Sequence, residues 1–228
     1  MVLERTREPE VMESTEEALS YDAMDHSDVN RCFVSDFLEF VDASSLTPQT
    51  TILDLGTGTA QIPLVLCQEL SVAPAILACD LSLEMLRVAQ RNIWHAGQSG
   101  TIAPIYANAR KLPIADYSCR CVISNSIVHH IPAPETVFLE LRRIAAPGTV
   151  IFFRDLLRPE SEEAVEHLVR QWAAEADHHQ QQMFRDSLHA ALTLSEVKEL
   201  LEGVGFSSSW ASQTSDRHWT IAGRVTAK

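Results

Sequence analysis

Asp54-Leu55-Gly56-Thr57-Gly58-Thr59-Ala60 is the stretch on which the fold turns. It follows the short apolar run Thr51–Leu55 and precedes Ile62–Leu70, which reads as a helix; Pro63 is tolerated in a first turn, where no backbone donor is needed. Two glycines one residue apart let the chain turn tightly and let a ligand reach the main chain without meeting a Cβ. The free N–H groups that open the helix favour negative charge. A dinucleotide loop would place a third glycine three residues after the second, where this chain has Gln61, and needs no acid two residues before the first. Asp54 in that place suits a ligand with a cationic amine and no pyrophosphate better than NAD.

Moving outward, a second strand, Ala75–Cys79, ends at Asp80, 24 positions after Gly56. An acid there can accept hydrogen bonds from both hydroxyls of a ribose; its plain structural alternative is a cap for the helix that starts near Ser82 and runs to about Gly97. Thr101–Tyr106 and Cys119–Ser124 read as further strands, with the loop ANARKLPIADYS between them. Pro134 opens a helix carrying Val137, Phe138, Leu141 and Ile144 on one face, and Pro147-Gly148 turns into the strand Thr149–Phe153. Strands separated by helices imply parallel pairing with helices on both faces. The expected fold is therefore α/β: a doubly wound, Rossmann-like, mostly parallel seven-stranded sheet with an antiparallel C-terminal hairpin.

Toward the C-terminus the pattern loosens. A helix with the stripe Ala164, Val165, Leu168, Val169, Trp172 and Ala173 gives way to the polar run DHHQQQ, then a short helix near Met183–Ala191. The capping box Thr193-x-x-Glu196 starts another helix, and Phe206–Ala211 and His218–Val225 read as the hairpin strands around SQTSDR. No internal repeat appears. The expectation is one domain over 1–228, divided into an N-terminal helical lid (1–44), a core (45–155), a helical insertion (156–192) and a C-terminal helix and hairpin (193–228).

The chain has 228 residues and a formal charge of -13. Residues 1–30 hold nine acids, Glu10 and Glu13 among them, against Arg5 and Arg7, so net −7 sits in this leader. A surface this acidic repels phosphate backbones and anionic headgroups, which disfavours nucleic acid and membrane as partners. No stretch approaches the ~20 apolar residues that cross a bilayer, and the N-terminus lacks a signal-peptide apolar segment, so a cytoplasmic location is expected. Five cysteines without a CxxC read as free thiols.

In order along the chain, DLGTGTA, CDLS, ANARKLP, ISNSIVHHIP and LRRIAAPGTVIFF resemble the motifs of class I S-adenosylmethionine-dependent methyltransferases, in the small-molecule group that modifies quinones, sterols and other metabolites. The resemblance runs from about Thr51 to Asp155. It implies that Asp54, Gly56, Thr57 and Gly58 lie along the methionine part of the cofactor, that Asp80 binds its ribose, and that Leu81 flanks the adenine. Asn108-Ala109 stands where the family usually has Asp-Ala; Asn108 can still accept from the adenine amino group through its amide oxygen. Ala60 replaces the usual third glycine. Asn125 borders the cofactor, and Tyr21 belongs to the closing leader. S-adenosylhomocysteine is the implied product.

His129 and His130, just past the fourth strand, are candidate general bases, since a histidine near its ordinary pKa of ~6.5 can take a proton from an oxygen or nitrogen nucleophile; shaping the pocket is the alternative. His26 is a further candidate in the leader. Arg31, Arg154 and Asp155 are candidate substrate contacts. His178-His179 is not a metal site, because helical neighbours point about 100° apart and no carboxylate or cysteine completes it, and no metal is expected elsewhere. The sequence thus points to methyl transfer onto a small-molecule acceptor. A non-catalytic S-adenosylmethionine-binding or interaction module, or an RNA or protein methyltransferase, is the alternative, and the oligomeric state stays open.

Overall fold

A computed structural model of the chain describes residues 3–8, 14–47 and 49–226. Glu10 and Glu13 of the acidic leader, and Pro48, lie outside the described residues. The elements run α1 (Thr15–Asp22), α2 (Ser27–Val41), β1 (Thr51–Leu55), α3 (Gln61–Glu69), β2 (Ala75–Asp80), α4 (Leu83–His95), β3 (Ile102–Tyr106) and β4 (Cys119–Asn125). They continue with α5 (Glu135–Ile144), β5 (Ala145–Leu156), α6 (Glu162–Trp172), α7 (His178–Ala190), α8 (Leu194–Gly203), β6 (Ala211–Gln213) and β7 (His218–Arg224). Seven strands form one sheet in the order β3-β2-β1-β4-β5-β7-β6. β1 pairs in parallel with β2 and β4, β2 with β3, and β6 and β7 are antiparallel. This is the doubly wound, Rossmann-like architecture expected.

The described chain divides into two compact units. One comprises Val11–Asn125, Leu139–Phe153 and Ala222–Lys228, the other Met1–Glu10, Ser126–Phe138 and Arg154–Ile221. The first has its core where α2 meets sheet residues: Phe33, Val34, Phe37 and Val41 recur at helical spacing and are buried with Ile52, Ile76, Ile123 and Phe152. Three rings surround Phe152, with centroids 5.3, 5.7 and 5.9 Å away at Phe33, Phe37 and Phe40. The second unit packs α6 on α7 through Val165, Leu168, Val169, Leu188 and Ala191.

Three local expectations are corrected. The polar run DHHQQQ is not a break: Asp177 caps α7, accepting from Gln180 N while the Gln180 side chain accepts from Asp177 N, so the helix starts at His178. Pro147-Gly148 does not precede its strand but lies inside β5, which begins as soon as α5 ends; Gly148 takes φ +87°, a kink that only glycine adopts without strain. The first hairpin strand is only Ala211–Gln213, because Ser207 caps a short 3-10 turn over Ser208–Trp210.

The ring cluster makes Phe152 the residue whose loss hollows the first core. Phe152→Ala should cost about 3–5 kcal/mol, read as a lower denaturant midpoint at unchanged slope. A cost below about 1 kcal/mol would mean that the rings do not hold α2 in place.

Candidate functional site

β1 and β2 are parallel neighbours in register Leu55↔Cys79, so the loops leaving both strands emerge side by side. The glycine loop is bound to the end of β2 by its own backbone: Gly56 N and Thr57 N donate to Cys79 O at 2.8 and 3.0 Å. Gly58 N donates to Asp80 Oδ2 at 2.8 Å. The other carboxylate oxygen, Oδ1, accepts from Ser82 N at 2.8 Å, and Ser82 in turn caps α4 through Met85 N. Asp80 is thus not itself the cap; it joins the glycine loop to the start of α4.

The loop alternates into the left-handed region, with φ +71° at Gly56, +55° at Gly58 and +66° at Ala60. The first two explain the glycines. At Ala60 the chain takes the same conformation with a Cβ, at a cost of roughly 1–2 kcal/mol, and this is where the resemblance wanted a third glycine. A Cβ on Gly58 would touch Tyr21 Cε1 at 3.8 Å, so Tyr21, from α1, lies over the loop. Asn92 of α4 holds the assembly from the side, donating to Asp22 Oδ1 at 2.8 Å and Thr59 O at 3.2 Å. Neither residue of that Asn92–Asp22 pair carries a motif that sequence reasoning would have found.

Asp54 is buried, and its Oδ2 has no hydrogen-bond partner among the described residues; the same holds for Thr57 Oγ1, Thr59 Oγ1 and Asn125 Oδ1. Burial pushes the Asp54 carboxyl up to about 7. A cluster of unpaired buried oxygens around a tight loop is the mark of a place built for a ligand with donors. Leu81 is half-buried and Ala109 buried. Asn108 Oδ1 accepts from Arg110 N at 2.9 Å and from Arg110 Nε at 3.1 Å, so its amide oxygen is taken up within its own loop.

The remaining leader candidates lie in this unit too. His26 stacks near Tyr21 with ring centroids 5.0 Å apart; burial lowers its pKa, and its Nε2 has no hydrogen-bond partner among the described residues. Arg31 is exposed and paired with Asp28 at 2.7 Å.

The other unit gathers a second group. His129 and His130 sit on a short 3-10 turn, Val128–His130. His129 Nδ1 is 2.5 Å from Asp155 Oδ1, and its Nε2 is 3.3 Å from Glu8 Oε1. His130 Nδ1 is 3.0 Å from the same Glu8 oxygen. Burial would lower His129, but Asp155 and Glu8 outweigh it and raise the pKa. Burial would raise Asp155, but His129 and the backbone of Leu156 hold it low; Val128 N also donates to it at 2.5 Å. Arg154, its neighbour in β5, points the other way as alternate strand residues do, donating to Thr220 Oγ1 at 3.0 Å. Arg5 fixes the histidine turn from outside, donating to Ala190 O at 2.6 Å, His129 O at 2.9 Å and Ile131 O at 3.0 Å. Glu8 and Arg5 were missed by sequence reasoning: in the sequence they are two charges in an acidic leader, more than a hundred residues from the histidines.

Residues 53–153 match the family model described as methyltransferase domain. Among curated proteins, the chain is 30% identical over 167 residues to a malonyl-[acyl-carrier protein] O-methyltransferase of a Marinomonas species, covering 72% of this chain and 59% of that one. It is 27% identical over 115 residues to an arsenite methyltransferase of Halobacterium salinarum, covering 50% and 29%. The chain therefore spans less than two thirds of the length of either relative. Among solved structures, a SAM-dependent methyltransferase from Aquifex aeolicus superposes with a TM-score of 0.67 at 16% identity, covering 94% of this chain and 100% of that one, a likeness of fold.

The burial of the Asp54 carboxyl, which outweighs the lowering by the Thr57 hydroxyl, has a measurable consequence. Its pKa is raised in the folded chain from 3.8 to about 7, so between those values the folded state holds a proton that the unfolded state has lost. Its contribution therefore erodes stability as pH rises from about 4 through 7. Asp54→Asn should melt higher than the parent in the absence of ligand, by a margin that widens over that interval and is flat above it. A margin independent of pH would show that Asp54 is already ionised and paired.

Proposed function

We propose that the chain is a class I S-adenosylmethionine-dependent methyltransferase, a reading supported by the match of residues 53–153 to the methyltransferase-domain model, and that it transfers a methyl group from S-adenosylmethionine to a small-molecule acceptor. The observation that carries this is the buried, unpartnered Oδ2 of Asp54 beside the loop of Gly56 and Gly58, tied through Gly58 N to Asp80. A buried carboxylate needs a cation or donors, and the cofactor's amino group offers both. The backbone at Gly56, Thr57 and Gly58 lets a chain-like ligand lie close, and Tyr21 closes over it. Asp80, at the end of β2 beside the glycine loop, is the acid placed to accept from the ribose hydroxyls. Leu81 and Ala109 flank the adenine in this reading; Asn108 shapes their loop and reaches the adenine amine only if Arg110 Nε releases its oxygen. Asn125 Oδ1 supplies a further acceptor.

When bound, S-adenosylmethionine supplies a methyl group already activated on a sulfonium centre, leaving S-adenosylhomocysteine. The work left to the protein is alignment for in-line displacement, which is worth much of the rate. For a hydroxyl or protonated amine acceptor, a base must also receive a proton. His129 is poorly suited, because both ring nitrogens face carboxylates. His130 fits better: Glu8 faces its Nδ1, while Nε2 has no partner among the described residues, so Nε2 can take the proton as the new bond forms. Asp155 then acts through His129 as a positioning residue for the turn. His26, whose lowered pKa favours the neutral ring, is the alternative base.

A small-molecule acceptor accords with the Marinomonas and Halobacterium relatives, whose names specify an acyl-carrier-bound malonyl group and arsenite. No helix among the described residues is long and apolar enough to cross a membrane. We place the protein in the cytoplasm, a reading supported by five cysteines that are all free.

Isothermal titration tests the cofactor: both S-adenosylmethionine and S-adenosylhomocysteine should bind, and Asp80→Asn should weaken them by about 10–100-fold, the worth of a hydrogen bond to a charged group. Absence of heat at millimolar ligand would overturn the proposal. In steady-state kinetics with a hydroxyl acceptor, His130→Ala should lower kcat by about 10²–10⁴-fold with cofactor affinity unchanged; an unchanged kcat would remove His130 as the base.

A further inference from the structure

The histidine turn holds a donor set that methyl transfer does not require. Glu8, His129 and His130 each present one ligand atom, and the three atoms lie within 4.8 Å of one another. We propose that these residues bind a divalent transition-metal ion through Glu8 Oε1, His129 Nε2 and His130 Nδ1.

Geometry comes first. Donors at ~2.0–2.2 Å around a tetrahedral ion stand ~3.3 Å apart. His129 Nε2 and His130 Nδ1 lie 3.3 and 3.0 Å from Glu8 Oε1, already close to that spacing. Adjacent histidines on a helix normally diverge. Here the tight 3-10 turn brings the rings to a centroid distance of 4.1 Å, and one ring uses Nε2 while the other uses Nδ1, so both nitrogens lie near a single carboxylate oxygen.

The second observation is the lack of any better partner. The Glu8 side chain is only 10% exposed, and its Oε1 and His130 Nδ1 are buried atoms that make no well-formed hydrogen bond among the described residues. The other Glu8 oxygen is already satisfied by Ser187 Oγ at 3.2 Å. Behind His129, Asp155 Oδ1 at 2.5 Å from Nδ1 fixes the proton there and frees Nε2 for coordination, the outer carboxylate that metal-binding histidines commonly have. Asp155 and Glu8 bring two negative charges to one buried place, while the guanidinium of Arg5 spends its hydrogen bonds on backbone oxygens. A groove of about 440 Å³ lined by Thr6, Arg7, Glu8, Asp186 and His189 adjoins the cluster at Glu8. Two histidines and one glutamate leave a fourth position for water.

The inference rests on this unit alone and stands whether or not the chain transfers methyl groups. Should both hold, the ion and the base are alternatives: an imidazole coordinated through Nδ1 keeps its proton on Nε2, so His130 could not then receive one from an acceptor.

Cobalt(II) reads the site directly. Titrated into the full chain, Co²⁺ should be taken up as a single tight ion with the visible d–d bands of a tetrahedral site and no thiolate charge-transfer band. Glu8→Gln and His130→Ala should each lose those bands, and Asp155→Asn should weaken uptake by about 10–100-fold, with circular dichroism confirming that each variant is folded. Because a variant at a buried cluster can fail to fold, a second measurement uses the unaltered protein: zinc-edge anomalous density in a Zn²⁺-soaked crystal should appear between Glu8 and the two rings. Weak, non-saturating uptake, a thiolate band from Cys32, bands that survive in both folded variants, or zinc located elsewhere would each overturn the proposal. Calorimetry with S-adenosylmethionine on the metal-free protein reports separately on the methyltransferase reading.

Discussion

The carboxylate of Asp80 is the joint of the cofactor-side unit. One oxygen accepts from Gly58 N and the other from Ser82 N, each at 2.8 Å. Through the first it fixes a loop in which Gly56, Gly58 and Ala60 all take left-handed conformations; through the second it sets the start of α4. The loop and α4 are then bound again from the side by Asn92, which reaches both Thr59 O and Asp22. Position in the sheet makes this possible: β1 and β2 are parallel and in register, so the end of one strand meets the turn after the other without an intervening layer.

The parts of that joint were legible in the sequence because each is local, whereas the hydrogen bonds by which Asp80 ties them together were not. A strand, two glycines, a helix, a strand and an acid are read from adjacent residues whose backbone needs are specific, and the parallel pairing with helices on both faces followed from the alternation. The capping box at Thr193 was legible for the same reason. The boundaries missed at α7 and β5 were errors of weighing local signals: Asp177 with Gln180 is a capping box hidden in a polar run, and Pro147-Gly148 was read as a break where the strand tolerates a kink. The histidine cluster was illegible for a different reason. His129 and His130 stood out as residues, but what gives them their chemistry is Glu8 and Asp155, and no periodicity or motif connects a leader glutamate to a turn that many elements separate from it.

A comparison among buried carboxylates separates those that build the fold from those that serve a ligand. Glu140 accepts from Leu112 N at 2.6 Å and lies against Arg143, whose Nη2 is also 2.6 Å away, and its pKa is lowered chiefly by Arg143. Asp155 accepts from Val128 N and faces His129, and it too is held low. Both are complete: donors from the chain repay their desolvation. Asp54 is not complete, and burial drives it the opposite way, to about 7. Glu8 stands between the two cases, with Oε2 satisfied by Ser187 and Oε1 turned toward two imidazoles in a geometry that hydrogen bonds do not use well.

The physical consequence is that, among the described residues, Asp54 in one unit and Glu8 in the other each keep a carboxylate oxygen whose burial the chain's own donors do not fully offset. Retaining such an atom lowers stability, so a sequence that keeps it must recover the cost when something else binds. For Asp54 the compensating group in the proposed function is an organic ammonium, because the loop N–H groups of Gly56, Thr57 and Gly58 are already spent on Cys79 O and Asp80 and the carboxyl must find its donor outside the chain. For Glu8 the neighbours are two nitrogen lone pairs at ligand spacing, which repel an anionic oxygen until a proton or a metal ion lies between them. The chemistry of the neighbours, more than the carboxylate itself, therefore selects the cation.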